Sequence, residues 1–207
     1  MKATPFGESA VLIELEQRMD ARIVAQARAI ADAWEDAGLG TAVPAYASVL
    51  VRFDPLTVSP EAALDRARAL HSGATAASAR AGRLIEVPTE YDGPDLEEVA
   101  SLSALSRDEL VAAHSSRDHT AFFLGFMPGF AYCGPLDPRI RAPRLASPRA
   151  RVPAGSVAVA DGQTAIYPFD SPGGWRLIGR TDLTVFDAGR AEPALIAAGD
   201  RLRFVPR

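Results

Sequence analysis

Two hydrophobic patterns divide the chain. In the first part, apolar residues at helical spacing alternate with short apolar runs. Residues 10–15 (AVLIEL) make a run of strand length, and Asp20 follows as an N-cap. In ARIVAQARAIADAWEDAG, residues Ile23, Ala27, Ile30 and Trp34 then share one helical face, and Gly38 supplies the stop. TAVPAY and SVLVRFD predict two strands that end at Asp54-Pro55. Ser59-Pro60-Glu61 opens a second helix, with Ser59 as cap and Pro60 in the first turn; Ala63, Leu64, Ala67 and Leu70 line one side, and it ends near Gly73. The small, polar segment SGATAASAR predicts a linker, and RLIEVPTEY another strand. Strand, helix, two strands, helix, strand is the βαββαβ order of a ferredoxin-like sandwich. Two short helices are predicted next, at 94–103 and 106–114, the second opened by the S-x-x-E capping box of Ser106 and Glu109.

From His119 onward the pattern changes to short strands separated by Gly and Pro: HTAFFLGF, GSVAVA, TAIYPF, WRLIGRT, LTVF and RLRFVP. Helical periodicity returns only at 192–198, so this part predicts an all-β barrel or sandwich. The reading is therefore an α+β domain over 1–85 followed by an all-β domain over 86–207, and 207 residues suffice for buried cores without disulfides.

Composition removes several function classes. One cysteine, Cys133, gives no disulfide framework or CxxC zinc pattern, and His71, His114 and His119 form no HExxH, so no metal site is expected. A net charge of −4 favours neither nucleic acid nor an anionic membrane. No leader-like or membrane-length apolar run is present, which points to a cytoplasmic protein. The phosphate loop, nucleophile elbow and dinucleotide fingerprint are all missing. Cys133 reads as a small buried hydrophobe, and His114, at a helix end, as a partner of the helix dipole.

Three clusters remain as candidate chemistry. Arg139, Arg141, Arg144, Arg149 and Arg151 occur with no acid between Pro138 and Ala160, and arginine forks suit carboxylate or phosphate. Such a run is equally a solvated loop paired with acids elsewhere. GFMPGF (125–130) is too rich in Gly and Pro for a central strand, so Phe126 and Phe130 either floor a pocket or join the core. Gln163, and the Gly173-Gly174 pair before Trp175, offer polar and backbone contacts to a ligand or form a plain β-turn.

Taken in order, GFMPGFAY, PRLASPRARVPAGSVAV, GQTAIYPFDSPGGWRLIGRT and AGDRLRFVP resemble the KipI-type family, which comprises the B-type subunits of 5-oxoprolinase and is also known by the names allophanate hydrolase and carboxyltransferase domain. The likeness extends upstream through GESAVLIEL, PAYASVLVRFDP and YDGPDLEEVA. It implies a cyclophilin-like barrel after the N-terminal domain. It also implies work beside a KipA-type subunit and a LamB/YcsF-type subunit, as an ATP-dependent 5-oxoprolinase opening 5-oxo-L-proline to L-glutamate. Arg144, Arg149, Gln163 and Tyr167 match polar motif positions, and Phe126, Pro128 and Phe130 match the GFxPGF element. Ser171 lies in a further matched motif.

Opening a lactam means cleaving a stable amide, so ATP, with Mg, would activate the amide oxygen within the complex. Arg144 and Arg149 would hold phosphate or carboxylate, Gln163 would orient the amide, and Phe126, Pro128, Phe130, Tyr167 and Ser171 would shape the pocket. No cofactor is expected on this chain alone, which should be inactive without its partners. The alternatives implied are half of a biotin-dependent carboxyltransferase and a regulatory inhibitor of a sensor histidine kinase.

Overall fold

The computed structural model describes residues 2–18, 20–73 and 82–207. The chain divides into two compact units, Met1–Ala81 and Gly82–Arg207. Most of the segment read as a linker, 74–80, lies outside the described residues.

In the N-terminal unit, β1 (Lys2–Pro5), β2 (Ala10–Glu14), β3 (Ala42–Pro44) and β4 (Ser48–Arg52) form an antiparallel sheet in the order β1-β2-β4-β3. Helices α1 (Ala21–Asp36) and α2 (Pro60–Gly73) start where their caps predict. The Asp20 carboxylate accepts from Arg22 N–H at 2.8 Å, and Ser59 Oγ accepts from Ala62 N–H at 3.2 Å. Val11, Ile13, Val49 and Val51 alternate inward on the strands and meet Ile23, Ala27, Ile30 and Trp34 of α1, together with Ala63 and Ala67 of α2. Each fully buried Val or Ile here contributes about 1.5–3 kcal/mol. Trp34 satisfies its indole by donating to Arg52 O at 3.0 Å.

One expectation fails in this unit. The last strand of the predicted βαββαβ order, β5 (Leu84–Thr89), runs parallel to β13 (Arg201–Pro206) in the second unit. The sheet edge beside β2 is taken instead by β1, a strand the hydrophobic pattern did not announce because KATP holds no apolar run.

The second unit is a nearly closed barrel. Its main sheet runs β12-β9-β10-β7-β6-β13-β5, with β6 (His119–Leu124), β7 (Ala131–Gly134), β9 (Ser156–Ala160), β10 (Gln163–Ile166) and β12 (Arg176–Arg180). Beyond β5 the two edges meet. Glu90 and Arg180 exchange backbone hydrogen bonds of 2.9 and 2.8 Å, Gly93 N–H donates to Ile178 O, and Asp95 N–H donates to Leu177 O. Closure leaves few unpaired strand groups. Helices α3 (Leu96–Ser103) and α4 (Arg107–Ser115) add Leu96, Val99, Leu110 and Ala113 to the core, and the Ser106–Glu109 capping box is present as predicted. The 192–198 stretch forms no helix: Ala194 bridges Phe186, and Leu195 N–H donates to Val185 O. LTVF accordingly contributes one bridge and not a strand. No helix among the described residues is long and apolar enough to cross a membrane.

Along β9 and β10 alternate residues enter two apolar clusters. Val157, Val159 and Ile166 face the barrel core, while Ala158, Ala160, Ala165 and Tyr167 pack with Phe130, Trp175, Leu177 and Val152 of β8 (Arg149–Val152), which pairs with β11 (Ser171–Gly173). Cys133 is fully buried in the barrel core, where desolvation pushes its thiol well above the ordinary range; this matches a packing role.

His114 is fully buried, so the dipole reading is replaced by a hydrogen-bonded chain. Thr164 Oγ1 uses its single proton on Ala158 O at 3.1 Å, so His114 Nε2 must donate to Thr164 at 2.9 Å. Nδ1 then accepts from Tyr91 Oη at 2.7 Å. Burial, reinforced by His119, holds the His114 pKa well below 6.5 and the ring neutral.

Candidate functional site

The GFMPGF segment makes two linked turns between β6 and β7. Met127 N–H donates to Gly125 O at 2.9 Å across Phe126, whose φ of +69° is unusual for a bulky residue, and Phe130 N–H donates to Met127 O. The outcome is one ring outside and one inside: Phe126 is 63% exposed and Phe130 1%. Phe130 lies edge-to-face with Phe126, Tyr132, Tyr167 and Trp175 at centroid distances of 5.0–5.7 Å.

These rings line a cavity of about 330 Å³ that opens between Arg144, Pro148, Pro172, Gly173 and Gly174. A glycine is required at 173, because a Cβ there would lie 2.3 Å from Tyr167 Oη. Gly173 therefore makes room for a side chain of the protein itself, whereas a Cβ at Gly174 would meet Pro148 at an ordinary 3.6 Å. Burial raises the Tyr167 phenol pKa, opposed by a hydrogen bond from the Trp175 backbone. Tyr132 is raised by burial too, with Arg144 opposing. Both are neutral donors at pH 7.

Arg144 supplies the cavity's positive charge. Its Cζ sits 5.9 Å from the Trp175 ring centroid, and its Nε donates to Asp161 Oδ2 at 3.0 Å. Arg149 is placed differently. Its Nη2 donates to the buried Asp95 Oδ1 at 2.6 Å, and Asp95 Oδ2 accepts from Leu177 N–H at 2.7 Å. Arg149 is not among the residues that line the cavity; it braces the barrel seam through Asp95, and its Nη1 is buried without a hydrogen-bond partner among the described residues.

The structure thus brings Phe126, Phe130, Arg144 and Tyr167 together around one cavity. Gln163 is buried on β10, on the face of Ala165 and Tyr167 by strand alternation, but off the cavity wall; Pro128 is exposed on the turn; Ser171 is half-buried on β11 beside Pro172. The arginine run is largely neutralised by acids outside it: Arg139 pairs with the flanking Asp137, Arg144 with Asp161, Arg149 with Asp95 and Arg151 with Asp170. Sequence reasoning missed Tyr132 and Pro148 as wall residues and Asp95 and Asp161 as partners. Tyr132 had a signal, since it stands two residues after Phe130 at strand spacing. Asp95 lies 54 positions from Arg149 and had none.

Residues 1–196 match the family described as carboxyltransferase domain, subdomain C and D. The chain belongs to this family. Relatives in it include the 5-oxoprolinase B-type subunit of Escherichia coli O157:H7, 49% identical over 128 residues, which are 60% of this chain and 59% of that protein. The chain thus covers about three-fifths of that curated relative. Among solved structures, TTHA0988 superposes with a TM-score of 0.84 at 38% identity, over 96% of this chain and 40% of that one. The Kluyveromyces lactis urea amidolyase shares the fold, with a TM-score of 0.74 at 20% identity over 99% of this chain and 15% of that one.

Proposed function

We propose that this chain is one component of an ATP-dependent 5-oxoprolinase that converts 5-oxo-L-proline to L-glutamate beside KipA-type and LamB/YcsF-type subunits. The observation that carries this is the aromatic cavity with Arg144 at its mouth, in a family member 49% identical over 128 residues to a protein named as a component of 5-oxoprolinase. Flat rings suit a planar lactam, and a guanidinium suits its carboxylate.

The cavity does not suit ATP with Mg. Its walls are mostly apolar, Arg144 is its one cation, and no group of three or more His, Cys, Asp or Glu among the described residues is arranged for a metal. In this reading the nucleotide sits on a partner, and the chain binds and orients the ring and keeps water from it. It offers no nucleophile at the cavity and is inactive alone. The matched TTHA0988 chain carries this fold as 40% of its length, which fits an assembly with further protein.

The test is ATP-dependent glutamate release from 5-oxo-L-proline by the co-purified complex. Activity should require this chain and be absent when it is assayed alone. A stable complex with no turnover overturns the reading.

A further inference from the structure

The loop that carries Arg144 is tied down on both sides of that residue. Ala142 O accepts from Asp161 N–H at 2.9 Å, Pro143 O from Arg176 Nε at 3.1 Å, and Leu145 N–H donates to Gly174 O at 2.8 Å. The Arg144 backbone is therefore fixed although its side chain is 58% exposed. That side chain lies against the Trp175 ring, and its one hydrogen bond among the described residues runs from Nε to Asp161. Engaging Nε leaves the Nη1–Nη2 edge, which can still grip a carboxylate in bidentate fashion, without a hydrogen-bond partner among the described residues.

Asp161 is also half of a two-residue hairpin turn. Ala160 pairs with Gln163, and φ is +49° at Asp161 and +81° at Gly162, the positive values a type I′ turn demands. Asp-Gly satisfies that turn, and so does Asn-Gly. Turn chemistry accounts for a short polar residue here. It does not account for a carboxylate on the one guanidinium at the cavity mouth. The pair is exposed on both sides, at 58% and 56%, so it adds little stability.

We propose that Asp161 is a positioning residue that turns the free edge of Arg144 toward the aromatic cavity, making the pocket selective for a small planar ring bearing a single carboxylate. The mouth holds one guanidinium, whose field Asp161 partly offsets, and this argues for a ligand with no more than one carboxylate. The five rings Phe126, Phe130, Tyr132, Tyr167 and Trp175 argue for a flat body. This deepens the proposed function and rests on it for the identity of the ring, 5-oxo-L-proline.

The test compares Asp161→Ala and Asp161→Asn with the parent chain, using calorimetric titration of the full chain with 5-oxo-L-proline and with its uncharged carboxamide, and KM and kcat in the complex. Asn keeps both the turn and an oxygen acceptor for Nε; Ala keeps neither. The parent should bind the acid at least tenfold more tightly than the carboxamide. Asp161→Ala should erase most of that preference and raise KM about tenfold with a smaller change in kcat, and Asp161→Asn should lie between the two. Unchanged or tighter binding of the acid by Asp161→Ala overturns the proposal, as does a parent that binds neither compound. Binding with the expected preference in a complex that does not turn over would overturn the 5-oxoprolinase reading and leave this one standing.

Discussion

The two units keep their polar groups in opposite ways. The core of the N-terminal unit is apolar throughout, from Val11 and Ile13 to Trp34 and Val51. Every buried polar or charged residue among the described ones lies in the barrel unit, including Asp95, His114, His119, Asp137, Thr164, Arg176 and Asp200. Burying such groups is costly unless each finds a partner, and a simpler core would fold as well. The barrel carries that cost at its seam, through Asp95, and inside its core, through His114, His119 and Thr164. The candidate cavity lies in the second unit, whereas the first is specified by an apolar core and by the local caps of its helices.

The largest test of that contrast is Asp95→Ala. It leaves Leu177 N–H without its side-chain acceptor and Arg149 without its ion partner at the barrel seam. Removing one member of a fully buried pair typically costs about 3–5 kcal/mol, and Arg149, 28% exposed, puts this pair at the lower end of that range. Chemical denaturation should show a loss of that order, with hydrogen exchange accelerating in β12 and α3. A loss below about 1 kcal/mol would mean the seam is held by its backbone bonds.

Acid should separate the units next. Burial lowers the pKa of His114 well below 6.5 and lowers that of His119 as well. In the unfolded chain both titrate near 6.5, so below that pH the unfolded state binds more protons. The stabilisation is complete above pH 6.5 and is lost as pH falls toward the folded values. Each ring costs up to about 1.4 kcal/mol per pH unit in that range. Asp137 acts lower on the scale: its hydrogen bonds with Arg139 hold it at about 2, so its contribution persists to stronger acid. Exchange measured from pH 7 to pH 5 should therefore loosen α4 and β10 while β2 and β4 keep their protection; equal loosening would erase the contrast.

How much was legible beforehand follows the range of each interaction. Asp20, Ser59 and the Ser106–Glu109 box act within four residues, so the helix starts were readable, as was the change to short strands after His119. The partner of β5 was not, because strand pairing across 117 residues leaves no local trace; Arg83 N–H to Asp200 spans that separation at the foot of the β5–β13 ladder. The pattern at 192–198 has helical spacing for under two turns, too short to outlast pairing with residues 185–186. The same holds at the cavity. The Gly/Pro-rich aromatic segment advertised an irregular, ring-bearing turn, whereas in the arginine run Arg144, Arg149 and Arg151 looked alike until Asp161, Asp95 and Asp170, which lie 17, 54 and 19 positions away, told them apart.

The smallest expected effect is the most discriminating, because it changes sign between stability and function. Phe126 holds a positive φ with most of its ring in solvent, a conformation that costs a bulky residue about 1 kcal/mol or more. Phe126→Gly should relieve that strain and lose little buried surface, so the barrel should be stabilised by about 1 kcal/mol, while affinity for the planar ligand falls as the outer wall is removed. Phe126→Ala removes the same wall but keeps the strained backbone, so it should weaken binding without the gain. If both substitutions destabilise equally, the ring belongs to the core and the turn is ordinary scaffold. If only glycine stabilises and both weaken binding, the strain is retained in order to place a ring over the cavity, a feature the N-terminal unit, with no positive φ outside glycine among its described residues, does not share.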